Sequence, residues 1–452
     1  MSEKIGLFET ISISVGGMVG GGIFAVLGVV AAGAGTAAWI AFALSGAVAL
    51  CAGYSFVRLN SICTDVRSPI GQIEEISESR HLAGMMGWLL TFGYVGTMAM
   101  YAFAFGSYLQ ELVGVHHLLG ISTRPLLSVG GVVLFGGLNL LGAHASGKTE
   151  DALVVTKVAI LLLFGGGGLY YGVTHGTVAS GFDAVSVGAL TAAAISFVAF
   201  EGWELLMFDQ GSIENPRETV RKAIYISIVG TTGLYILVAV VTTNLVSTAT
   251  IKANPETALA IAARPLLGQL GFTLIAVAAV ISTASALNAT LFSASRLSAQ
   301  ISQSTADGAH RDGVDTPPPD AGTATDGGKA LSSYSNSTPH HRSQGAADST
   351  PPTRTIVVIG ALTAIFTLYG SLDSITSFAS GAFMSIFGSV SLLALTRRDS
   401  LVNTVVPAIG AFGSATALVA LMWNLHESNP DVLVTVAVIW TVVLSVYWVP
   451  RR

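Results

Sequence analysis

The sequence predicts an all-α integral membrane protein with twelve transmembrane helices, and three observations support this prediction. Hydrophobic residues make up 52% of the 452 residues and charged residues only 10%, whereas soluble chains carry about 25% charged residues. Twelve apolar stretches are each long enough to cross a bilayer, which takes about 20 residues in a helix. Basic residues collect on one side of those stretches, as they do in the cytoplasmic loops of membrane proteins.

The apolar stretches follow one another along the whole chain, and we number them as segments 1 to 12. They run over residues 9–35, 37–58, 83–110, 126–142, 151–173, 188–210, 222–246, 268–297, 354–371, 375–396, 402–423 and 431–449. The boundary between the first two depends on "GAGT", and three acidic residues interrupt segment 6: Glu201, Glu204 and Asp209. An even number of segments places both ends of the chain on one side of the membrane.

Residues 301–352 differ in composition from the rest of the chain. This tract includes "DGVDTPPPDAGTATDGG" and is too poor in apolar residues to offset the chain entropy lost on folding. Its two adjacent histidines, His340 and His341, are interpreted as solvated side chains and not as a metal site. We therefore expect segments 1–8 in residues 1–300, a disordered cytoplasmic loop over 301–352, and segments 9–12 in residues 353–452.

The distribution of Lys and Arg predicts the orientation. With a cytoplasmic N-terminus, seventeen of the 21 basic residues lie on the cytoplasmic side, three lie outside (Arg124, Lys252 and Arg264), and Lys157 falls within segment 5. This bias follows the positive-inside rule. We expect a multi-pass protein of the cytoplasmic membrane with both termini inside. The small net charge of −5 indicates no nucleic-acid partner.

Two segments have interrupted helical patterns at corresponding positions. Segment 1 contains "GGMVGGG" over residues 16–22, and segment 6, five segments later, contains "FEGWE" over residues 200–204. Because five is odd, the second set of five segments enters the membrane in the opposite sense, and paired interruptions in inverted halves are typical of transporter binding sites. Glycine weakens a helix and lets a ligand approach the backbone. The alternative is that these glycines allow close helix packing.

Breaks in both segments would create a site for a zwitterion. A half-helix that begins near Gly22 presents N–H groups and the positive end of its dipole, which suit a carboxylate. Half-helices that end near Gly17 and Phe200 present carbonyl groups, which suit an ammonium group. The pattern therefore predicts a small-molecule substrate that carries both charges.

Several motifs resemble those of the amino acid, polyamine and organocation (APC) transporters. They are "VGGMVGGGIFAVLG" in segment 1, "NLLGAHASGKTEDALVVTKVAILLLF" leading into segment 5, "FVAFEGWE" in segment 6, "IENPRETVRKAI" leading into segment 7 and "ALNATLFSASRLSA" ending segment 8. The resemblance implies a LeuT-type fold: two inverted five-helix repeats with helices 1 and 6 broken, followed by two C-terminal helices. It also implies a secondary active transporter, an amino acid permease that works by alternating access.

The resemblance also assigns roles at the site. It implies that the substrate's carboxylate binds the backbone of Gly20, Gly21 and Gly22. It implies that the substrate's amine binds the carbonyl groups of Gly16, Gly17 and Phe200. Phe200 and Trp203 become the aromatic gate and side-chain wall, and Glu201 and Gly202 complete the predicted site. Glu201 has two interpretations. It pairs with a cationic substrate, such as lysine, arginine or a polyamine in an exchanger, or it accepts hydrogen bonds that hold the break.

Lys157 lies about two turns into segment 5, where an unpaired ammonium group is disfavoured. One interpretation is that its side chain reaches back to the membrane surface. The APC resemblance instead implies that the amine takes the place of a sodium ion, near the carbonyl of Gly16 or Gly17 and the hydroxyls of Ser282 and Ser285. This predicts proton-coupled or sodium-independent transport, a symporter in which Lys157 gains and loses a proton.

Other classes of function are less compatible with the sequence. A membrane amino acid sensor would use the 301–352 tract for output, but that tract has no apolar periodicity to build a folded domain. No pattern typical of hydrolases, metalloenzymes or phosphate-binding loops is present, so we expect neither an enzyme nor a cofactor or metal. Cys51 and Cys63 have no metal-ligand spacing and are interpreted as structural.

Overall fold

The computed structural model describes residues 4–63, 69–141, 147–208, 210–311, 353–428, 430–434, 436–438 and 441. Within these ranges the chain is almost entirely helical. Its α-helices are α1 (Leu7–Ala34), α2 (Ala38–Ile62), α3 (Pro69–Ser77), α4 (Arg80–Val113), α5 (Thr123–Leu140), α6 (Gly147–Thr174), α7 (Val187–Ser196), α8 (Pro216–Leu245), α9 (Thr248–Ala253), α10 (Ala258–Ala262), α11 (Arg264–Arg311), α12 (Thr353–Tyr369), α13 (Leu372–Leu395) and α14 (Val402–Ser428).

The membrane-spanning character of these helices agrees with the sequence prediction. Nine stretches of the described chain are long and apolar enough to cross a bilayer, one of which, Leu7–Ile62, contains both α1 and α2, and the apolar helix α12 is shorter. Segments 1–11 each overlap a helix, whereas most of segment 12 lies outside the described residues. The protein is therefore a multi-pass helical membrane protein, and the count of twelve helices stays a prediction.

Local signals explain where several helices begin and end. Ser79 caps α4 by accepting a hydrogen bond from the backbone of Leu82 (3.2 Å), and Gly114 ends that helix with φ of +70°. Pro216 begins α8, where its missing N–H group costs nothing. A two-residue turn with positive φ at Leu119 and Gly120 joins the short antiparallel strands β1 (His117–Leu118) and β2 (Ile121–Ser122), which pair His117 with Ser122 between α4 and α5.

Helix α1 forms the centre of the molecule. Its residues 18–28 are all buried, and it contacts α6, α7, α8 and α11 as well as the chain that follows α7. The peripheral helices are different: only 28% of the apolar window of α5 is buried, and the same share of that of α14. Large side chains such as Leu163 (76% exposed) and Phe412 (75% exposed) therefore project outward, as expected for a surface that lies in lipid.

Two predictions from the sequence need correction, the break in segment 1 and the end of segment 8. Segment 1 is not broken: α1 is helical through all of its glycines, from Leu7 to Ala34. Helix α11 extends to Arg311 and so enters the tract predicted to be a loop from residue 301, since the first proline of that tract is Pro317. Residues 312–352, the remainder of that tract, lie outside the described residues.

Cys63 lies at the end of α2 and is 4% exposed. Burial, with a contribution from the negative charge of Glu75, raises the pKa of its thiol to about 12. The thiol is therefore protonated at neutral pH and unreactive, which agrees with a structural role.

Candidate functional site

The break predicted in segment 6 is present, and Gly202 is its pivot. After α7, residues 197–200 form a 3₁₀ turn, Glu201 is extended with φ of −70° and ψ of 144°, and a second 3₁₀ stretch covers residues 203–208. Gly202 has φ of +123°, a conformation that residues with a Cβ rarely adopt. The glycine thus permits the chain to leave helical geometry in the interior of the protein.

The glycines of α1 pack directly on this break. A Cβ added to Gly17 would lie 2.7 Å from the Cα of Gly202, and one added to Gly22 would lie 2.9 Å from the Cα of Ala199. A Cβ on Gly21 would overlap the ring of Tyr101. Close packing, the alternative interpretation of "GGMVGGG", is therefore what the structure shows, and it explains why the glycines do not interrupt α1.

Three carbonyl groups on one stretch of α1 accept hydrogen bonds from other helices. Lys157 Nζ donates to Gly16 (3.0 Å), the Ser282 hydroxyl donates to Val19 (2.9 Å), and the Tyr235 hydroxyl lies 2.7 Å from the carbonyl of Met18. The same tyrosine hydroxyl is 2.9 Å from the carbonyl of Ala199. Tyr235 therefore joins α1 to the 3₁₀ turn before the break. No sequence signal distinguished this tyrosine from others in segment 7.

Two carboxyl groups lie in the interior at the break. Glu201 and Glu204 are each 1% exposed, and neither forms an ion pair within the described part of the chain. Tyr101 donates to Glu201 Oε2 (2.8 Å), Tyr94 donates to Glu204 Oε1 (3.4 Å), and the N–H group of Gly202 donates to Glu204 Oε2 (2.9 Å). The sequence singles out neither tyrosine, because it does not show which helices meet.

The predicted aromatic residues are both fully buried. Phe200 packs edge-on against Tyr235, with 5.4 Å between ring centroids. Trp203 packs against Phe56 (5.2 Å) and Phe387 (5.0 Å). Two polar atoms here, Trp203 Nε1 and Glu201 Oε1, have no hydrogen-bond partner among the described residues. The break therefore has unused hydrogen-bonding capacity in a tightly packed region.

A cavity of about 370 Å³ approaches this region from one side. Gly16, Gly17 and Ser285 form part of its wall, together with Glu150 from the first turn of α6 and Arg296 from α11. Gly20, Gly21 and Gly22 of α1 are not part of its lining, and neither are residues 200–203. Lys157 is 5% exposed and does not line the cavity, but its amine contacts the carbonyl of Gly16, which does.

The structure thus brings most of the predicted site residues together. Gly17 meets Gly202, Lys157 contacts Gly16, and Ser282 contacts the neighbouring turn of α1. Ser285 lies on the cavity wall, and no hydrogen bond from it to Lys157 is seen. Gly20 packs against Ala286 of α11, 2.7 Å from an added Cβ, and not against an open ligand site. The functional roles of these residues stay predictions.

The described chain combines a multi-pass helical fold with an interrupted segment beside two buried carboxyl groups, an arrangement that is typical of membrane transport proteins. The sequence profile of the family described as "Amino acid permease" matches residues 5–306. The chain therefore belongs to the amino acid permease family of the APC superfamily. Relatives in this family with assigned names are transporters and not enzymes.

Individual relatives match about two thirds of the chain. An uncharacterized protein of Methanocaldococcus jannaschii is 34% identical over 64% of this chain and 66% of its own length. The inner membrane transport protein YbaT of Escherichia coli is 32% identical over 64% of this chain and 67% of its own. The serine/threonine exchanger SteT of Bacillus subtilis is 24% identical over 66% and 68%, respectively. The matched region spans about two thirds of each relative.

The fold also resembles a solved structure over nearly the whole chain. A crystal structure of a manganese transporter from Eremococcus coleocola superposes with a TM-score of 0.54, covering 97% of this chain and 92% of the other. The sequence identity is 13%, so the likeness concerns the fold alone.

Proposed function

We propose that this protein is a secondary active transporter that moves amino acids across the cytoplasmic membrane by alternating access. The observation that carries the proposal is the contact between the glycines of α1 and the broken segment 6, with Glu201 and Glu204 buried at the break. Buried carboxyl groups at membrane depth are costly and mark transport pathways. Membership of the amino acid permease family supports the same class of substrate.

In this proposal the chain has twelve transmembrane helices in the LeuT-type arrangement. Segments 1–5 and 6–10 form the inverted repeats, two further helices follow, and both termini are cytoplasmic. The bias of basic residues to one side supports the orientation. The extent of the likeness to the manganese transporter fold supports a transporter architecture that continues beyond the family match.

The substrate's zwitterionic group binds between α1 and the break. Its amine faces the carbonyls of Gly16, Gly17 and Phe200, and its carboxylate faces Gly20, Gly21 and Gly22. Because α1 is continuous, and because Gly20, Gly21, Gly22 and residues 200–203 do not line the cavity, the described conformation has no open space between α1 and the break. Binding therefore requires α1 and the break to separate, a movement that the low helix propensity of glycine favours.

Lys157 couples transport to protons in place of sodium. Its amine donates to the carbonyl of Gly16, and the Ser282 hydroxyl donates to the carbonyl of Val19 on the same helix. A change in the charge of Lys157 alters its bond to α1, so protonation and the position of α1 are linked. Ser285, on the cavity wall beside Gly17, belongs to the same coupling region.

A second candidate is a cationic amino acid or polyamine exchanger. Glu201 Oε1, which lacks a hydrogen-bond partner among the described residues, favours it because a cationic side chain would supply one. If the substrates are neutral amino acids, Glu201 is instead a structural group that is protonated and accepts the hydrogen bond from Tyr101. Competition by lysine, arginine and putrescine separates the two candidates.

The test is uptake into proteoliposomes that contain the purified full-length protein. Each of the twenty labelled L-amino acids is offered with an imposed pH gradient or an imposed sodium gradient, to wild type and to Lys157→Ala. We expect pH-driven uptake in wild type, lost in Lys157→Ala and kept in Lys148→Ala, the control for the other lysine of α6. Strict sodium dependence, or an unchanged rate and pH profile in Lys157→Ala, would exclude Lys157 from coupling.

A further inference from the structure

Lys157 has no direct route to the cavity in the described conformation. Lys157 is 5% exposed and is absent from the cavity lining, and its amine donates to the Gly16 carbonyl at 3.0 Å. A peptide carbonyl accepts a hydrogen bond but is not a base that removes a proton from an ammonium group. If Lys157 exchanges a proton, another group must carry that proton to water.

Glu150 lies on the cavity wall, close to Gly16, the residue of α1 that Lys157 contacts. It is seven residues before Lys157 on α6, which places both on one face of the helix with a rise of about 10 Å between them. Helical side chains lean toward the N-terminus, so Lys157 leans toward Glu150. Glu150 Oε1 lies 4.0 Å from the position of a Cβ on Gly16, the residue that Lys157 contacts, and Glu150 interacts electrostatically with Lys157.

The cavity gives Glu150 contact with water. Of the described residues that line the cavity, Glu150 and Arg296 are charged, and Glu150 is the carboxylate. Glu150 lies in the first turn of α6, at the end of the helix that borders the cavity. Glu150 therefore faces both the cavity and the backbone that holds Lys157.

We propose that Glu150 is the proton relay between Lys157 and the cavity, an inference that rests on the coupling role of Lys157 proposed above. An N–H bond of the ammonium group breaks, its electron pair stays on nitrogen, and an O–H bond forms on Glu150, directly or through a cavity water. This leaves a neutral amine and a neutral carboxylic acid. The carboxylic acid then releases the proton to cavity water, and the reverse sequence recharges Lys157.

Other charged groups near Glu150 set the conditions for this relay. Asp151 follows it on α6, and Arg296 of α11 shares the cavity with it. From α1, Ile13, Gly16 and Gly17 line the cavity, and from the 3₁₀ stretch after the break Leu205, Leu206 and Phe208 do; all are uncharged. Described residues of α8, which also packs on α6, are absent from the lining.

The experiment compares net transport with exchange in the full-length protein. Proteoliposomes receive a mixture of the twenty ¹³C-labelled L-amino acids, and mass spectrometry measures each one. Uptake driven by a pH gradient requires Lys157 to load and release a proton, whereas exchange of internal for external amino acid at equal pH does not. The variants are Glu150→Gln, Glu150→Asp, Lys157→Ala and the control Asp151→Asn, which removes a neighbouring carboxylate outside the cavity lining.

We expect Glu150→Gln to slow pH-driven uptake at least tenfold and to leave exchange within about twofold of wild type. Glu150→Asp should recover a large part of the lost rate because it restores a carboxylate, and Asp151→Asn should behave as wild type. Slowing of both modes by the same factor in Glu150→Gln would show a structural role and overturn the relay. If Glu150→Gln keeps wild-type pH-driven uptake while Lys157→Ala loses it, the relay role of Glu150 is wrong and the coupling role of Lys157 stands.

The remaining outcomes concern the proposed function itself. Persistent pH-driven uptake in Lys157→Ala removes the coupling role of Lys157 and the relay with it. Absence of uptake of every amino acid in wild type overturns both the transport proposal and the relay.

Discussion

At the scale of single residues, Tyr101 occupies the point where α1, α4 and the break meet. Its ring fills the space beside Gly21, and its hydroxyl donates to Glu201 Oε2 at 2.8 Å. Glu204 has two donors, the backbone of Gly202 and the more distant hydroxyl of Tyr94. Glu201 therefore depends on Tyr101 for its hydrogen bond more than Glu204 depends on Tyr94.

Tyr101→Phe should destabilise the protein more than Tyr94→Phe. The first substitution removes the described hydrogen bond of Glu201, and a buried polar group without a partner costs about 1–3 kcal/mol. The second removes a 3.4 Å contact and leaves Glu204 its bond to Gly202. Thermal unfolding of the two purified variants in one detergent measures the difference. An equal or larger loss in Tyr94→Phe would contradict this assignment.

Gly17→Ala should destabilise the protein by about 1–3 kcal/mol, the usual cost of overpacking. Its new Cβ would lie 2.7 Å from the backbone of Gly202, which cannot rotate away as a side chain can. Gly33→Ala on the same helix is the control, because its Cβ would meet Ala192 at an ordinary 3.9 Å. Unfolding temperatures of the two variants test the point, and equal stability would show that the α1 glycines do not determine packing at the break.

At the scale of elements, segments 1 and 6 show what the sequence can and cannot predict. Glu201, Gly202 and Glu204 in an apolar run signalled a break that the structure contains, because two carboxyl groups and a glycine disfavour an undistorted membrane helix. The glycines of segment 1 carried an ambiguous signal, since glycine serves both breaks and close contacts. The partner that decides between them, the backbone around Gly202, lies in a distant part of the sequence.

The contacts that hold the site were also outside the reach of sequence analysis. The Lys157 contact to Gly16 followed from a resemblance and agrees with the geometry, but the roles of Tyr235 and Glu150 depend on which helices are adjacent. The sequence prediction ends this helix too early because polar composition is typical of loops, although no proline occurs between residue 301 and Pro317.

Gly202→Ala should disrupt the break. The residue has φ of +123°, where an alanine is strained by roughly 1–3 kcal/mol, and the new Cβ would lie 2.6 Å from the carbonyl carbon of Gly17. Gly211→Ala is the matched control, since its Cβ has no neighbour within 4 Å. We expect loss of stability and of amino acid uptake in Gly202→Ala alone. Normal uptake by a stable Gly202→Ala protein would mean that this conformation is not needed for transport.

At the scale of the whole molecule, the fold likeness extends over more of the chain than the family match. The amino acid permease profile ends at residue 306, whereas the structural likeness covers 97% of the chain. The tract from residue 312 to residue 352 separates the helices of the matched part from α12, α13 and α14. We expect transport to depend on both helical parts and not on the tract between them.

Deletion of residues 315–348 with a short Gly-Ser bridge should leave amino acid uptake within about twofold of wild type. The deletion begins after the described end of α11 at Arg311 and ends before α12 begins at Thr353. Polar, proline-rich loops tolerate such changes because they contribute little to the packed core. A folded deletion protein without activity would indicate that the tract regulates transport or signals, as a sensor would require.

In the proposed mechanism, this protein concentrates an amino acid by means of a proton gradient. The most direct measurement is the internal concentration of labelled amino acids in sodium-free proteoliposomes with an alkaline interior, before and after addition of a protonophore. We predict accumulation above the external concentration for at least one amino acid, and its collapse to equilibrium when the protonophore is added. Equilibration without accumulation, or accumulation that occurs only with a sodium gradient, would contradict the claim.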